Sequence, residues 1–267
     1  MNILFIGDIV GALGRTIVKE VLPELKKKYA VDLTLTNGEN SAHGYGITEK
    51  IYSELLVMGI DAVTMGNHMW DKKEAARDIE KFPRLVRPAN YPKGVPGKDY
   101  LIIEAQGIKV GILNLLGRTF MQCMDCPFQA AERLLPRIRE QAPIILVDMH
   151  AEATSEKNAM GYFLDGKVSA VIGTHTHVMT ADERILENGT AYISDAGMAG
   201  ALDSVIGMNK EQIIKRFLTQ MPEKFEPTET GRGLFNAVLI KIDNKTGKAQ
   251  EIKKIIEYTK VEIAPLL

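Results

Sequence analysis

Five short apolar runs of this 267-residue chain end at residues that can bind a metal ion or transfer a proton. Each run has the length and apolar content of a buried strand. The runs and their end residues are ILFIGD with Asp8, LTLTNGEN with Glu39 and Asn40, AVTMGNH with Asn67 and His68, IILVDMH with His150, and AVIGTHTH with His175 and His177. Because strands of an open α/β sheet converge at their carboxyl edge, residues far apart in sequence can meet in one crevice. The sequence therefore predicts a clustered metal site on an α/β fold.

The alternation of strand and helix patterns supports this fold class. Strands are predicted near 3–7, 31–36, 61–65, 100–105, 108–115, 144–148 and 168–172, and helices near 12–29, 48–58, 71–81 and 128–140, with an irregular stretch at 82–98. Two hairpins follow, one joining 183–187 to 190–194 and one joining 235–242 to 248–258. The sequence shows no repeat, low-complexity tract or linker. It therefore predicts one domain over residues 1–267.

Composition and charge exclude several function classes. The chain is 45% hydrophobic and 25% charged, close to the averages of globular proteins. A formal net charge of −1 and a pI near 6.5 give no general attraction to phosphate backbones or anionic lipids, so we expect no binding to duplex nucleic acid or to membranes. The sequence shows neither a secretory signal pattern nor an apolar stretch of the ~20 residues that a membrane span requires. We therefore expect a cytoplasmic protein.

Cys123 and Cys126 form a single C-x-x-C pattern. A zinc ribbon needs a second such pair, and a thioredoxin-like motif needs a strand-to-helix context. We interpret both residues as reduced, structurally neutral thiols, with a redox role as the alternative.

The residue types at the strand ends indicate which metals they would bind. Imidazole nitrogens combined with carboxylate and amide oxygens suit iron, manganese or zinc, whereas an oxygen-only set would suggest magnesium or calcium. Seven candidate ligands exceed what one tetrahedral site holds. They are Asp8, Glu39, Asn40, Asn67, His150, His175 and His177. Two ions that share a bridging carboxylate fit this number better, and such a pair can clamp the attacking and leaving oxygens of a displacement at phosphorus.

Several segments resemble one enzyme family. The GD near the amino terminus, GNH, the lone histidine of DMHAE and the G-x-H-x-H of GTHTH occur in the order of the calcineurin-like metallophosphoesterases. GDIVGALGR, TNGENSAHGYGIT, MGNHMWD, DMHAEATSEK, GTHTHV and SDAGMAG more closely resemble the YmdB-like branch, bacterial phosphodiesterases associated with cyclic nucleotides. The resemblance implies a four-layer α/β/β/α sandwich, a dinuclear centre that often holds iron, and hydrolysis of 2',3'-cyclic or 3',5'-cyclic nucleotides.

The resemblance also implies a division of the seven ligands between two ions. Asp8 and His177 would bind one ion, and Asn67, His150 and His175 the other, with Glu39 bridging both and Asn40 adding an amide oxygen to one of them. His68 resembles the family's proton donor to the leaving oxygen. Asp71, three residues on, would orient His68 if the chain turns into a helix there. The expected reaction is metal-hydroxide attack on phosphorus with His68 as general acid.

Two departures from the motifs of the wider superfamily narrow the resemblance to one branch and bear on the expected metal. The usual first motif is D-x-H, but this chain has Asp8-Ile9-Val10, and Glu39 stands where an aspartate is usual. Both changes resemble the YmdB-like branch. The loss of a nitrogen ligand makes one site richer in oxygen. We therefore expect two divalent or trivalent ions, with iron favoured, manganese second and zinc third.

Other functions stay open at this point. The chain could be a metal-dependent regulatory protein that binds a nucleotide with negligible turnover, or an enzyme for phosphomonoesters or short RNA. We expect a small cyclic nucleotide or short RNA as the ligand, and a homo-oligomer, although no motif indicates the oligomer.

The sequence allows two interpretations for several residues. His43 is a loop residue or a substrate contact, Arg118 is solvated or contacts phosphate, and the glycine-broken segment 197–207 is a lid or an oligomer contact. His175 and His177 alternate after an apolar run, which predicts both rings on one side of a strand. The pocket for the base is expected from the loops 41–47, 117–127 and 197–207.

Overall fold

Most strands of this protein are apolar on both faces, as in sheets that are covered on both sides. The computed structural model describes residues 1–259. The strands are β1 (Asn2–Ile6), β2 (Asp8–Ile9), β3 (Leu33–Asn37), β4 (Ala62–Thr64), β5 (Leu85–Val86), β6 (Tyr100–Ala105), β7 (Ile108–Leu116), β8 (Ile144–His150), β9 (Ala170–Thr174), β10 (Arg184–Ile185), β11 (Ala191–Ile193), β12 (Met198–Ala201), β13 (Gly233–Ile242) and β14 (Ala249–Tyr258). The α-helices are α1 (Gly11–Lys28), α2 (Glu49–Val57), α3 (Lys73–Arg77), α4 (Pro127–Arg139), α5 (Thr154–Leu164) and α6 (Lys210–Thr219).

The strands form two sheets. The first has the order β2-β12-β13-β1-β3-β4-β5, with β14 paired to β13, and its strands β1, β3, β4 and β5 run parallel. The second has the order β10-β11-β9-β8-β7-β6, and its strands β7, β8, β9 and β11 run parallel. The parallel strands of each sheet therefore end at a common edge, as the strand-end pattern predicts.

Alternating side chains of one strand divide between two apolar layers. In β1, Ile3 and Phe5 face the second sheet, while Leu4 and Ile6 pack against the helices on the other side. Helices α1 and α2 cover the outer face of the first sheet, and α4 and α5 cover that of the second. This arrangement of two helical layers around two sheets confirms the predicted α/β/β/α sandwich.

Two helices are absent from the sequence-based assignment. Helix α5 lies between two predicted strands, and α6 lies in the last third of the chain, where only hairpins are predicted. Both have detectable signals. In α5 the buried residues follow helical spacing, and α6 is preceded by Asn209, whose side chain accepts a hydrogen bond from the Gln212 N–H as a helix cap. The cap at Thr48, which accepts from the Ile51 N–H, is confirmed.

Three other boundaries differ from the prediction. The helix predicted over 71–81 is a single turn, α3, that ends where Asp78 leaves helical geometry at φ −124° and ψ 39°, and a short 3-10 helix follows. The stretch 82–98 contains β5, a two-residue strand at the edge of the first sheet. The segment 197–207 begins with β12, which lies buried between β2 and β13. Its first half is therefore neither a lid nor an exposed oligomer contact.

None of the helices within residues 1–259 is long and apolar enough to cross a membrane.

The layer between the sheets should carry much of the stability. Phe5 is 1% exposed and lies in this layer. We expect Phe5→Ala to lower the free energy of unfolding by about 3–5 kcal/mol, because it removes the buried ring and leaves a cavity. Denaturant unfolding would measure this loss. Val57→Ala, at a residue that is 88% exposed, should change the stability by no more than about 0.5 kcal/mol. An equal effect of the two substitutions would contradict this account.

Candidate metal centre and active site

The seven predicted ligands meet where the carboxyl edges of the two sheets adjoin. The first sheet supplies the carboxylates and amides from β2 and from the loops after β3 and β4. The second supplies the imidazoles from the end of β8 and the loop after β9. Their assignment as metal ligands stays a prediction, but their placement in one cluster is a feature of the structure.

Three of these residues converge on the Nε2 atom of a fourth, His150. This atom lies 2.9 Å from Glu39 Oε1, 3.1 Å from Asn67 Oδ1 and 3.1 Å from His175 Nδ1. The ligand atoms of Glu39, His150 and His175 lie within 4.8 Å of one another, as expected for groups that share one ion. This set matches the predicted second ion site, extended by the bridging Glu39.

The remaining ligands surround the amide of Asn40. Its Nδ2 atom lies 3.1 Å from His177 Nε2, 3.4 Å from Asp8 Oδ1 and 3.5 Å from Glu39 Oε1. Glu39 Oε1 therefore contacts both groups of ligands, which is the position that a bridging carboxylate requires. The Nδ1 atom of His177 lies 2.8 Å from the Ile206 carbonyl oxygen and donates to it, which orients Nε2 toward Asp8 Oδ1 at 3.7 Å.

Burial and neighbouring charges set the protonation of the cluster. Burial raises the pKa of Asp8 above its usual range, although His177 and His150 act in the opposite direction. Burial would also raise the pKa of Glu39, but the charge and hydrogen bond of His150 outweigh it and lower this pKa. Burial together with the charge of His150 lowers the pKa of His175 to about 3. His175 is therefore neutral at physiological pH, the form in which imidazole binds a metal.

The donor set fits a pair of cations. Asp8 and Glu39 are both buried, and two buried carboxylates side by side need positive charge to balance them. His150 supplies part of that charge, since the Glu39 carboxylate raises the pKa of its imidazole despite burial. Asp8 and His177 would hold one ion, Asn67, His150 and His175 the other, and Glu39 both. Asn40, whose Nδ2 faces the first group, would bind through its amide oxygen with the amide turned over. Mixed nitrogen and oxygen donors of this kind suit iron, manganese or zinc.

Gly66 allows the side chains of His150 and Glu39 to approach each other. A Cβ atom at this position would clash with the His150 ring and the Glu39 carboxylate. Only glycine therefore leaves room for the contact between these two side chains.

The backbone at the two loop histidines differs from the expectation. Strand β9 ends at Thr174, so His175 and His177 do not alternate along a strand. They adopt left-handed conformations with φ of 98° and 63°, which are uncommon for residues other than glycine. The rings nevertheless reach the two groups of ligands because the loop turns them there.

His68 lies beside the cluster with the partner that the sequence suggested. Its backbone N–H donates to Glu39 Oε2 at 2.9 Å, and its Nδ1 lies 2.7 Å from Asp71 Oδ2. Asp71 therefore fixes the orientation of the ring and leaves Nε2 for a substrate. The role of His68 as the acid stays a prediction.

A cavity of about 500 Å³ opens over the cluster. His68 and Tyr45 line it on one side, and Val205 and Ile206 on another. The loops 41–47 and 197–207 thus contribute to it, as predicted for the base pocket. Residues 117–127 contribute to a separate cavity through Asp125 and Cys126.

His43 and Arg118, for which the sequence allows two interpretations, do not line this cavity. The side chain of His43 is 79% exposed and lies 3.7 Å from a Glu229 carboxylate oxygen. Arg118 is exposed, and its guanidinium contacts the sulfur of Cys126. Cys123 and Cys126 are both free cysteines in the structure, and their neutral role stays a prediction.

Comparison with known proteins identifies the family. Residues 4–255 match the sequence profile described as YmdB-like protein. The chain belongs to the YmdB-like family. This membership confirms the relationship that the sequence motifs indicated.

Three YmdB-like relatives show how far the similarity extends. The chain is 53% identical over 256 residues to a 2',3'-cyclic-nucleotide 2'-phosphodiesterase of Bacillus subtilis, covering 96% of this chain and 97% of the relative. A protein of Thermus thermophilus described as hypothetical has 41% identity and a TM-score of 0.90, with 97% of this chain and 99% of that chain covered. A structure from Mycoplasma pneumoniae described as a novel phosphatase has 37% identity and a TM-score of 0.91, with coverages of 97% and 93%.

Sequence reasoning missed a buried ion pair that holds the histidine loop of this YmdB-like site. Lys157 Nζ lies 2.8 Å from Asp195 Oδ2 and donates at 2.8 Å to the Thr174 carbonyl. The same carboxylate oxygen accepts hydrogen bonds from the backbone N–H and the hydroxyl of Thr176, at 3.0 and 2.7 Å. The pair therefore clamps the residues on both sides of His175. A lysine on the apolar face of a helix pattern is the signal that could have revealed it.

A second buried carboxylate, that of Asp148, is linked to His150 through Thr174. Asp148 Oδ1 accepts from the Thr174 hydroxyl at 2.6 Å, and that hydroxyl oxygen lies 2.9 Å from His150 Nδ1. Asn37 Nδ2 lies 3.1 Å from Asp148 Oδ2 and 3.2 Å from His150 Nδ1. These contacts fix the rotation of the His150 ring, so that Nε2 faces Glu39.

The shared position of Glu39 predicts a loss of metal on substitution. Glu39→Gln keeps the side-chain size but removes the charge that would serve both ions. We expect purified Glu39→Gln protein to hold fewer than half of the ions of the wild type, measured by mass spectrometry of metals. Glu20→Gln, at an exposed residue of α1, should keep the wild-type content. Wild-type metal content in Glu39→Gln would exclude a bridging role.

The buried ion pair of Lys157 and Asp195 predicts that stability and metal affinity fall together when it is broken. Asp195→Asn leaves Lys157 buried without a counter-charge and weakens the bonds to Thr176. We expect a loss of about 3–5 kcal/mol in the free energy of unfolding and a 10- to 100-fold weaker metal affinity. Denaturant unfolding and metal titration would measure the two effects.

The matched control for Asp195→Asn is an exposed pair. Glu49 Oε2 lies 3.0 Å from Lys81 Nζ, and both side chains are about half exposed. Glu49→Gln should alter neither quantity appreciably, because an exposed pair contributes about 0–1 kcal/mol. If Asp195→Asn lowered stability but left metal affinity intact, the pair would not position the loop.

Proposed function

We propose that this protein hydrolyses 2',3'-cyclic nucleotides at a two-metal centre, with His68 as the general acid. The observation that carries the proposal is the placement of His68. Its backbone N–H binds the carboxylate of Glu39, the residue that contacts both groups of ligands, while its ring lines the same cavity. The arrangement supports the proposal because the proposed acid and residues of both proposed ion sites adjoin one cavity.

The enzyme class follows from the relationship alone. A relative that is 53% identical over almost the full length of both chains is a 2',3'-cyclic-nucleotide 2'-phosphodiesterase. The prediction that this chain is a phosphoric diester hydrolase is therefore confirmed. The choice of the 2',3'-cyclic ester, the number of ions and their identity belong to the proposal, with iron favoured.

The buried carboxylates and imidazoles would hold the two ions in place. When bound, the ions would supply positive charge to the oxygens on phosphorus and lower the pKa of the attacking water. The chain contributes Glu39 and Asp8 as fixed negative charges, and His175 in its neutral form. His150 is oriented by Asp148 and Thr174, and His177 by the Ile206 carbonyl.

The proposed reaction needs one proton at the leaving oxygen. Water adds to phosphorus, the bond between phosphorus and the ribose 2'-oxygen breaks, and a nucleoside 3'-phosphate forms. The leaving alkoxide is a strong base, so a positioned acid lowers the barrier. His68 can deliver this proton from Nε2 because Asp71 accepts the hydrogen bond from Nδ1.

A comparison of four substrates separates this function from the alternatives. Metal-loaded wild-type protein would be assayed with 2',3'-cyclic AMP, 3',5'-cyclic AMP, a phosphomonoester and a short RNA. The proposal predicts the highest kcat/KM with 2',3'-cyclic AMP. Tight binding of that ligand with negligible turnover would instead support a regulatory binding protein, and preference for the monoester or the RNA would change the substrate class.

The acid role predicts a specific loss in His68→Ala. We expect kcat for 2',3'-cyclic AMP to fall about 10²- to 10⁴-fold, because the leaving oxygen loses its proton donor, while metal content stays at the wild-type level. The matched control is His43→Ala, which removes an exposed histidine outside the cavity. It should retain wild-type turnover. Equal turnover in His68→Ala and wild type would rule out this role.

A further inference from the structure

The cavity over the ligands has two chemically different walls. One wall carries the ligand groups Glu39, Asn40, His175 and His177 together with His68. A second wall is formed by residues between 205 and 225; it is largely apolar and includes the charged Arg216. Its apolar members are Val205, Ile206, Met208, Ile213, Phe217 and Phe225. A ligand that fills the cavity must therefore combine an anionic end with an apolar, flat or bulky end.

The apolar wall is attached directly to the candidate metal centre. The carbonyl of Ile206 accepts the hydrogen bond from His177 Nδ1 at 2.8 Å. Helix α6 then begins at Lys210 and is joined to the following segment, because the Glu226 N–H donates to Gln212 Oε1 at 2.9 Å. The position of the wall is thus fixed relative to the ligands rather than left to a free loop.

The size of the cavity suits a small-molecule ligand. About 500 Å³ lies within the range of about 300–1,000 Å³ typical of small-molecule sites. A phosphate at the ligand wall would leave the rest of the molecule facing the apolar wall. Nucleobases bind proteins by stacking on aromatic rings, and this stacking is tolerant of base identity.

Phe217 is the aromatic residue of α6 that lines the cavity. Its side chain is highly exposed, at 73%, although large apolar side chains are normally buried. The next residue, Leu218, is 81% exposed but does not line the cavity. Exposure alone therefore does not distinguish the two residues, whereas contact with the cavity does.

We propose that Phe217, on the wall formed with Phe225, stacks on the base of the substrate and thereby sets the affinity for nucleotides over other cyclic phosphodiesters. This inference rests on the proposed function for the reaction at the ligand wall. It adds the part of the substrate that the metal ligands do not contact. The occupant is the base of one mononucleotide.

The test compares two cyclic esters that differ in the base. The probes are 2',3'-cyclic AMP and glycerol 1,2-cyclic phosphate, which has a five-membered cyclic phosphodiester but no base. We expect Phe217→Ala to raise KM for 2',3'-cyclic AMP about tenfold, the order expected for the loss of one stacking contact, and to leave kcat/KM for the glycerol ester unchanged. Leu218→Ala should behave as wild type on both.

Several outcomes would overturn the inference. They are an unchanged KM for 2',3'-cyclic AMP in Phe217→Ala, an equal rise in Leu218→Ala, or an equal loss on the glycerol ester. If wild type hydrolysed neither ester, the proposed function would fail instead. Calorimetric titration with adenosine 3'-phosphate would then still decide the stacking role, since Phe217→Ala should bind it about tenfold more weakly than wild type and Leu218→Ala equally well. Equal affinity in all three proteins would refute it.

Discussion

Two buried carboxylates, Asp8 and Glu39, impose the main electrostatic constraint on this protein. A buried carboxylate without compensation is strongly unfavourable, so the surrounding residues must supply positive charge and hydrogen-bond donors. His150 meets Glu39 at 2.9 Å, and the backbone N–H of His68 binds its other oxygen. Asp8 receives the backbone N–H of His175. The positions of both loop histidines, and the close packing at Gly66, follow from this need.

Fixing the imidazoles requires further buried polar groups behind them. The hydroxyl of Thr174 lies between Asp148 and His150, and the pair of Lys157 and Asp195 holds the loop that carries His175 and His177. Both loop histidines have positive φ, a conformation that costs energy in residues other than glycine. The hydrogen bonds from Thr176 to Asp195 stabilise this loop in that conformation. These contacts hold the histidines in the positions that the cluster requires.

The sequence could predict the cluster because its members end strands, and strand ends meet for topological reasons. It could also predict the hydrogen bond between His68 and Asp71 from their spacing. The ion pair of Lys157 and Asp195 was not predicted from the sequence, because a lysine in a helix is usually solvated and its buried partner lies 38 positions away. Strands β5 and β12 are too short to give a periodic pattern, and their pairing depends on neighbours distant in sequence. Helix α6 was missed although Ile213, Ile214, Phe217 and Leu218 recur at helical spacing and Asn209 caps it. Of these four apolar residues only Ile213 is buried, so the pattern does not mark a core-facing helix.

The two sheets contribute different chemistry to the centre. The carboxylates and amides come from the first sheet and the imidazoles from the second, so neither sheet alone carries a complete set of ligands. Bound ions would therefore act as a cross-link between the two halves of the sandwich, and they would stabilise only the state in which these halves are docked. Metal occupancy would report on correct assembly. A chain whose sheets had separated would release its ions, and with them its activity, before its individual strands came apart.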